Sequence, residues 1–324
     1  MSTTTPCRSS RALALLFCCV TLGGCVSLKH YAVDRLGDAL AADSSAYASD
    51  DDPELVRAAA PFGLKLTESL LAQSPRHTGL LTAAASGFTQ YAYAYPQQDA
   101  DALESRDVDA AFALRMRART LYLRARDYGL RALETRHAGF SAALARAPAA
   151  AVARLDARDV PALYWTAVAW AASISLGKDS PQALADLPRV DLLVRRVREL
   201  DADFDRGALQ TFLVSYDMGR PGARDPAAEA RRAFERSVEL SGGGRAGPYV
   251  ALAEAVSVRA QNRDEFRASL EHALAIDPGA QREWRLENRI MQQRARWLLT
   301  QTDQLFLDDS GGDAHDRPVP QTAH

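Results

Sequence analysis

The stretch FRASLEHALAIDP, residues 266–278, carries the pattern that decides the fold class of this 324-residue chain. Phe266, Leu270 and Ala273 are spaced four and three residues apart, which places them on one face of an α-helix. Pro278 follows at a position where proline commonly marks the end of a helix. An apolar face of this kind has to be covered, so we expect the helix to pack against a neighbouring helix.

Two earlier segments end in a related signature, which indicates an internal repeat. They are RELD at 198–201 and VELS at 238–241, and Leu200, Leu240 and Ile276 are 40 and 36 residues apart. This spacing is close to the tetratricopeptide period of about 34 residues. The first helices lack the full Trp, Leu-Gly and Tyr pattern of that motif, so the repeats are degenerate. We predict an all-α fold, an α-solenoid of tetratricopeptide-like helical hairpins.

The chain on either side of these repeats is also rich in Ala, Leu, Arg and Glu, with Pro and Gly between helical segments. Helix starts are predicted where Asp precedes Pro in a first turn, at Asp52-Pro53, Asp159-Val160-Pro161 and Asp225-Pro226. Helix ends are predicted at glycines, namely Gly177, Gly219 and Gly242. We expect a single helical domain over residues 53–307 and a disordered Gly/Asp/Pro-rich tail over 308–324.

The composition is that of a globular protein. Hydrophobic residues make up 47% and charged residues 25%, which excludes a disordered chain, a collagen-like fibre and a polytopic membrane protein. The 39 Lys and Arg against 41 Asp and Glu give a net charge of −2, which argues against a nucleic-acid partner.

The first 25 residues have the order of features found in a bacterial lipoprotein signal. Arg8 and Arg11 precede the apolar run ALALLFCCVTL at 12–22, which is well short of a membrane span. The run leads into Leu22-Gly23-Gly24-Cys25, which resembles a lipobox. We expect residues 1–24 to be removed and Cys25 to carry a lipid anchor, with 25–52 forming a linker and a first helix. The alternative is an ordinary secretory signal with a chance cysteine.

The placement of the cysteines and the residue after Cys25 bear on location. All four cysteines lie in the first 25 residues, so the rest of the chain holds no disulfide framework. Val26, rather than Asp, follows Cys25, and by analogy with lipoprotein sorting this favours the outer membrane over the inner one. The expected location is the periplasmic face of a bacterial membrane, with attachment through the lipid.

Several long motifs together resemble the TatT family, the tetratricopeptide-repeat lipoproteins associated with TRAP transporters. They are SDDDPELVR at 49–57, PFGLK at 61–65, LL at 80–81 with ASGFTQYAY at 85–93, RARDYGL at 124–130, LYWTAVAWA at 163–171, RARWLL at 294–299 and LFL at 305–307. The resemblance covers about residues 22–307. It implies an all-helical periplasmic lipoprotein, assembly as a homotrimer, and a TRAP-type substrate-binding protein as partner.

Two predicted helices combine apolar and aromatic residues. The segment 162–177 contains no charged residue and has Trp165 and Trp170 on opposite faces, so both faces need cover. It is either a central packed helix or the wall of an apolar ligand cleft. The predicted helix 80–95 suits core packing, a pocket or a subunit contact, because its tyrosines need hydroxyl partners. The candidate cleft residues are Phe88, Tyr91, Tyr93, Tyr95, Tyr164, Trp165 and Trp170.

The segment 115–137 holds seven arginines against two acidic residues, an excess of 7 − 2 = +5. It is either a solvated helix balanced by acids elsewhere or a surface for a carboxylate ligand or an acidic partner, since Arg binds carboxylates bidentately. The candidate contacts with an anionic partner are Arg117, Arg124, Arg126 and Arg131.

Enzyme motifs are absent or accidental. GGGRAG at 242–247 fits GxGxxG but follows a predicted helix rather than a strand, so it does not indicate a nucleotide site. The six histidines lack metal-ligand spacing, and we predict no cofactor, no metal and no catalysis. The expected function is a non-catalytic TRAP accessory lipoprotein that docks a substrate-binding protein and channels a small acidic or hydrophobic ligand. The alternatives are an envelope-assembly scaffold and a carrier of a hydrophobic small molecule.

Overall fold

The computed structural model describes residues 45–220 and 222–307, together with Arg35, Gly37 and Asp38. The predicted signal peptide, Cys25, most of the predicted linker and the predicted tail lie outside the described residues. The prediction of one domain over 53–307 stays a prediction.

The regular structure of the described residues is helical throughout, which confirms the all-α prediction. In the first half the α-helices are α1 (Ser45–Ala48), α2 (Pro53–Gln73), α3 (Thr78–Ala92), α4 (Gln98–Leu103), α5 (Val108–Arg136), α6 (Phe140–Arg146), α7 (Pro148–Ala153) and α8 (Val160–Ser175). In the second half they are α9 (Pro181–Leu184), α10 (Leu187–Leu200), α11 (Phe204–Gly219), α12 (Pro226–Ser241), α13 (Gly247–Leu252), α14 (Arg263–Ala275), α15 (Arg285–Thr300) and α16 (Thr302–Leu305). Short 3₁₀ turns cover Ala157–Asp159 and Arg282–Trp284.

The helix starts and ends follow the local signals in the sequence. α2 begins at Pro53, and Asp52 Oδ1 accepts hydrogen bonds from the backbone N–H groups of Glu54 and Leu55, both at 3.0 Å. α12 begins in the same way, with the Asp225 side chain accepting a bond from a backbone amide. It ends at Gly242, whose φ of 58° is in the left-handed region that favours glycine.

The described residues divide into two compact units. The first unit comprises residues 57–92 and 118–190, and the second comprises 45–56, 93–117 and 191–307. In the first unit α3 packs against α8. Both helices bury apolar side chains completely, among them Leu80, Ala84 and Leu163.

The second unit holds the stretch from which the fold class was predicted. Phe266, Leu270 and Ala273 are inaccessible to solvent, as their spacing predicted. They share one core with residues of α13 and α15, including Val250 and Leu298. α14 packs against α15, so the apolar face of this helix is covered by helices as expected. The arrangement of the hairpins as an α-solenoid stays a prediction.

Two π-helical turns interrupt the second unit's helices, at Tyr93–Gln97 and Ala253–Ser257. The predicted helix 80–95 therefore does not continue as an α-helix: α3 ends at Ala92, and the chain passes through the first π turn into α4. Pro96 lies inside that turn, and proline lacks the N–H that an α-helical turn would use. The wider turn alters the direction of the side chains that follow Ala92.

None of the helices in the described part of the chain combines the length and the apolar character needed to cross a membrane.

Candidate functional site

In the first unit, an aromatic pair joins the arginine-rich helix α5, which carries Tyr128, to α3, which carries Phe88. The rings of Phe88 and Tyr128 are stacked, with centroids 5.9 Å apart and planes 9° apart. The Arg124 guanidinium carbon lies 5.4 Å from the centre of the Phe88 ring, and that of Arg131 lies 5.2 Å from the Tyr128 ring. Cations in this position over aromatic faces are attracted electrostatically to the ring.

A carboxylate from α2 joins these residues, and we call Glu68, Phe88, Arg124, Tyr128 and Arg131 the Glu68 cluster. The Tyr128 hydroxyl donates to Glu68 Oε1 at 2.8 Å, and Arg124 Nη1 lies 3.6 Å from the same oxygen. Burial raises the pKa of Tyr128 to about 12, and the bond to Glu68 adds to that shift. The phenol therefore stays protonated near neutral pH and acts as a donor.

The charge state of Glu68 follows from the same contacts. Burial alone would raise the pKa of Glu68, but hydrogen bonds from Lys65 and Tyr128 and the charge of Arg124 outweigh burial and lower it. The ionised carboxylate is then paired with Lys65 and Arg124, and Arg131 lies over the neighbouring Tyr128 ring. Because Lys65 and Arg124 keep 69% and 45% of their side-chain surface accessible, this part of the unit presents excess positive charge to solvent.

The other two predicted arginines have different surroundings. Arg126 pairs with Asp127, Nη2 to Oδ1 at 2.7 Å, and its guanidinium carbon is 5.3 Å from the Trp170 ring centre. Its charge is therefore balanced by a neighbour. Arg117 is exposed on α5, in the part of that helix that belongs to the second unit.

The aromatic residues of α8 are mostly interior. Tyr164 and Trp170 are buried, while Trp165 is half-buried and meets Tyr164 edge to face with centroids 5.0 Å apart. One side of α8 packs on α3, and a second side approaches α5 at Gly129 and Thr166. The uncharged helix is covered on two sides, as its composition predicted.

The predicted cleft residues on either side of Ala92 belong to different units. Phe88 and the half-buried Tyr91 lie in the first unit, whereas Tyr93 and Tyr95 lie in the second. The Tyr95 hydroxyl is buried and donates to the backbone oxygen of Pro53 at 2.9 Å. The Tyr93 hydroxyl donates to a methionine sulfur, as described below.

With this geometry established, comparison with known proteins identifies the family. Residues 49–306 match the family described as the TRAP transporter T-component. The chain belongs to that family. A Treponema pallidum (strain Nichols) protein described as uncharacterized is 29% identical to this T-component over 309 residues, which cover 90% of this chain and 95% of that protein.

Membership confirms the resemblance to TatT proteins and associates this T-component with a TRAP transport system and hence with the cell envelope. The family is one of transport accessory proteins. Among the residues that the structure describes, no three His, Cys, Asp or Glu side chains are grouped as they would be to hold a metal ion.

The T-component also contains site residues that sequence reasoning missed. Glu68 is 60 residues from Tyr128 in sequence, and no motif around it signals their contact. Asp159 was predicted to start α8 as a capping residue, and the helix does begin at Val160. Its fully buried carboxylate instead bonds to Arg136 Nε at 2.6 Å and His137 Nε2 at 2.8 Å, and makes no cap bond to α8.

Proposed function

We propose that this T-component is a non-catalytic, lipid-anchored periplasmic protein that docks a TRAP-type substrate-binding protein. The family match over residues 49–306 carries the proposal, because it associates the chain with TRAP transport. In the proposal, Cys25 holds the lipid and the protein assembles as a homotrimer at the outer membrane. Its helical hairpins form an α-solenoid scaffold.

The Glu68 cluster supports one docking surface in particular. Lys65, Arg124 and Arg131 bring three positive charges against the one negative charge of Glu68, and this excess favours an acidic partner surface. Arg131 has no acidic partner among the described residues, and its Nη2 donates to the backbone oxygen of Pro75 at 3.2 Å. Complementary charge chiefly speeds association and selects the partner.

In the proposal, this T-component also passes a small acidic or hydrophobic ligand to the docked substrate-binding protein. Among the predicted cleft residues of the first unit, Tyr91 and Trp165 keep part of their surface accessible, so we propose them as ligand contacts. The buried Phe88, Tyr164 and Trp170 would shape the apolar surroundings rather than touch the ligand first.

The test of docking is a binding measurement with a purified TRAP substrate-binding protein from the same organism. Arg131→Glu should weaken binding about tenfold, mainly by slower association, and added salt should reduce the difference. Arg296→Glu is the matched control, since Arg296 is an exposed arginine on α15 in the second unit. Absence of binding by the unaltered chain would refute docking, and an equal loss in both variants would refute the assigned surface.

Anchoring and assembly have separate tests. Cys25→Ser should release the protein from the membrane fraction, and mass spectrometry of the unaltered protein should find acyl chains on Cys25. Light scattering during gel filtration should give three times the mass of one chain. A monomer mass across the micromolar range would refute the trimer without bearing on the docking measurement.

A further inference from the structure

The two π turns of the second unit each place a polar residue in one cluster. Tyr93 is the first residue of one turn and Glu254 is the second residue of the other. π-helical turns are rare and often lie at functional sites, because the extra residue redirects a side chain at some cost to the helix. Two such turns with members in the same cluster indicate more than ordinary packing.

Arg294 of α15 connects the cluster. Its Nε and Nη2 both donate to Glu254 Oε1, at 3.0 and 2.6 Å, and Nη2 also lies 2.9 Å from Asp101 Oδ2. The guanidinium carbon is 4.3 Å from the Trp297 ring centre. The Tyr93 hydroxyl donates to Met291 Sδ at 3.9 Å. We call Tyr93, Asp101, Glu254, Met291, Arg294 and Trp297 the Arg294 cluster.

The pairing of Arg294 with Glu254 leaves hydrogen-bonding capacity unused. A bidentate pair normally engages both carboxylate oxygens, whereas here both nitrogens donate to Oε1. Within the described part of the chain, Glu254 Oε2 accepts no hydrogen bond and Arg294 Nη1 donates none. The thioether of Met291 is also a weak acceptor for the Tyr93 hydroxyl. An acceptor and a donor of one ion pair are therefore both without partners among the described residues.

These groups are recessed but accessible. The Glu254 side chain keeps 27% of its surface accessible and that of Arg294 keeps 11%. At the same time burial raises the pKa of Glu254, although Arg294 opposes the shift, and burial likewise raises the pKa of Tyr93. The Glu254 and Arg294 side chains are therefore densely surrounded and still reach solvent, so a small molecule can contact them.

A further donor belongs to the helix that carries Asp101. The Gln98 amide nitrogen is buried and has no hydrogen-bond partner in the described part of the chain. Gln98 and Asp101 are three residues apart on α4, so they lie on the same side of that helix. A buried donor without a partner costs stability, which favours a role in holding a bound group.

The charges of the cluster identify the class of ligand. Glu254 carries a negative charge and Arg294 a positive one, and each has an atom without a partner, whereas Asp101 pairs with both Arg294 and Arg115, and Arg115 also pairs with Glu104. A ligand that carries charges of both signs can use the unpartnered acceptor and the unpartnered donor together. Its cation suits Glu254 Oε2, its anion suits Arg294 Nη1, and its apolar part suits Met291 and Trp297.

We propose that the Arg294 cluster binds a small zwitterion that carries an ammonium and a carboxylate, as a free amino acid does. The proposal goes beyond the proposed function, because this zwitterion is a ligand of the second unit, separate from the ligand contacts proposed in the first. Binding is measured on the purified chain alone, so it can succeed where docking fails, and docking can succeed where it fails.

The experiment begins with thermal shift and titration calorimetry of the purified chain against the twenty standard amino acids. At least one should raise the melting temperature and bind saturably. Its N-acetyl derivative, which lacks the ammonium, and its amide, which lacks the carboxylate, should each bind about tenfold more weakly or worse, because each leaves a charged group unpaired.

Isosteric variants locate the site. Glu254→Gln and Arg294→Lys should each weaken binding about tenfold or more, whereas Glu271→Gln and Arg296→Lys, at exposed positions of α14 and α15, should leave it unchanged. The proposal is overturned if no amino acid at 10 mM, about the weakest useful affinity, shifts the melting temperature. It is also overturned if both modified ligands bind as well as the parent, or if folded Glu254→Gln and Arg294→Lys bind normally. The cluster would then serve only to hold α4, the π turn Ala253–Ser257 and α15 together.

Discussion

Gly129 lies where α5 approaches α8 within the first unit, and adding a single methyl group there tests that packing. A Cβ at Gly129 would lie 2.0 Å from Thr166 Oγ1, 3.1 Å from Thr166 Cβ and 3.3 Å from Thr166 Cα. Thr166 is fully buried, and its hydroxyl donates to the Ala162 backbone oxygen at 2.6 Å. The hydroxyl can turn away only by breaking that bond, and the Thr166 backbone cannot move without shifting α8.

Two effects of Gly129→Ala oppose each other. Alanine is favoured over glycine inside a helix by about 1 kcal/mol. Overpacking a buried contact costs about 1–3 kcal/mol, and a gap of 2.0 Å, far below ordinary contact, belongs at the upper end of that range. The variant should therefore lose about 2 kcal/mol in free energy of unfolding.

A double-mutant cycle separates the steric effect from helix propensity. Thr166→Ala removes Oγ1, which leaves only the contacts at 3.1 and 3.3 Å. In that background Gly129→Ala should be neutral or stabilising by about 0.5–1 kcal/mol, since the propensity term then dominates. The two substitutions should thus be coupled by about 2–3 kcal/mol.

Urea unfolding followed by far-ultraviolet circular dichroism provides all four free energies of the cycle. If Gly129→Ala leaves the free energy of unfolding unchanged in the chain that keeps Thr166, α5 and α8 do not approach each other at this glycine. If the substitution costs about 2 kcal/mol in both backgrounds, Thr166 is not the obstructing residue.

Three further predictions concern other parts of the chain. Asp159→Ala removes a fully buried carboxylate from Arg136, so urea unfolding should show a loss of about 3 kcal/mol. Gly207→Ala should cost about 1–2 kcal/mol in the same assay because its φ is +102°, whereas Gly219→Ala, with nothing within 4 Å, should cost less than about 0.5 kcal/mol. Two backbone amides at the start of α6 lower the pKa of Glu134, so this residue stabilises the fold at neutral pH and loses that effect as pH falls through the lowered value. Acid titration of unfolding should accordingly show a shallower decline for Glu134→Gln than for the unaltered chain.

The features that were predictable from the sequence are those with local physical causes. An Asp cap and a proline act within one turn, so the starts of α2 and α12 at Pro53 and Pro226 follow from a few adjacent residues. The burial of Phe266, Leu270 and Ala273 follows from spacing alone.

The candidate sites were less predictable because they join distant residues. Glu254 and Arg294 lie 40 residues apart, and each alone is an ordinary charged residue on a helix. Pro96 gave a local signal for a break in the helix, but Ala253–Ser257 contains neither Pro nor Gly, so its π turn has no comparable signal. The redirected side chains therefore emerge only once the fold has formed.

The arginine excess of 115–137 shows how tertiary pairing changes the meaning of a charge count. Acids from outside the segment pair with Arg115, Arg124 and Arg136, and Asp127 within it pairs with Arg126. Among the described residues, Arg117, Arg119 and Arg131 have no acidic partner, and Arg119 is half-buried and donates to the Ser173 backbone oxygen at 3.3 Å. A surface that binds an anionic partner needs cations that are both accessible and unpaired, because a paired arginine must break one contact to form another. The proposed electrostatic docking therefore depends on Arg131 in the first unit more than on the seven arginines together, and Arg131→Glu should have the larger effect than Arg126→Glu.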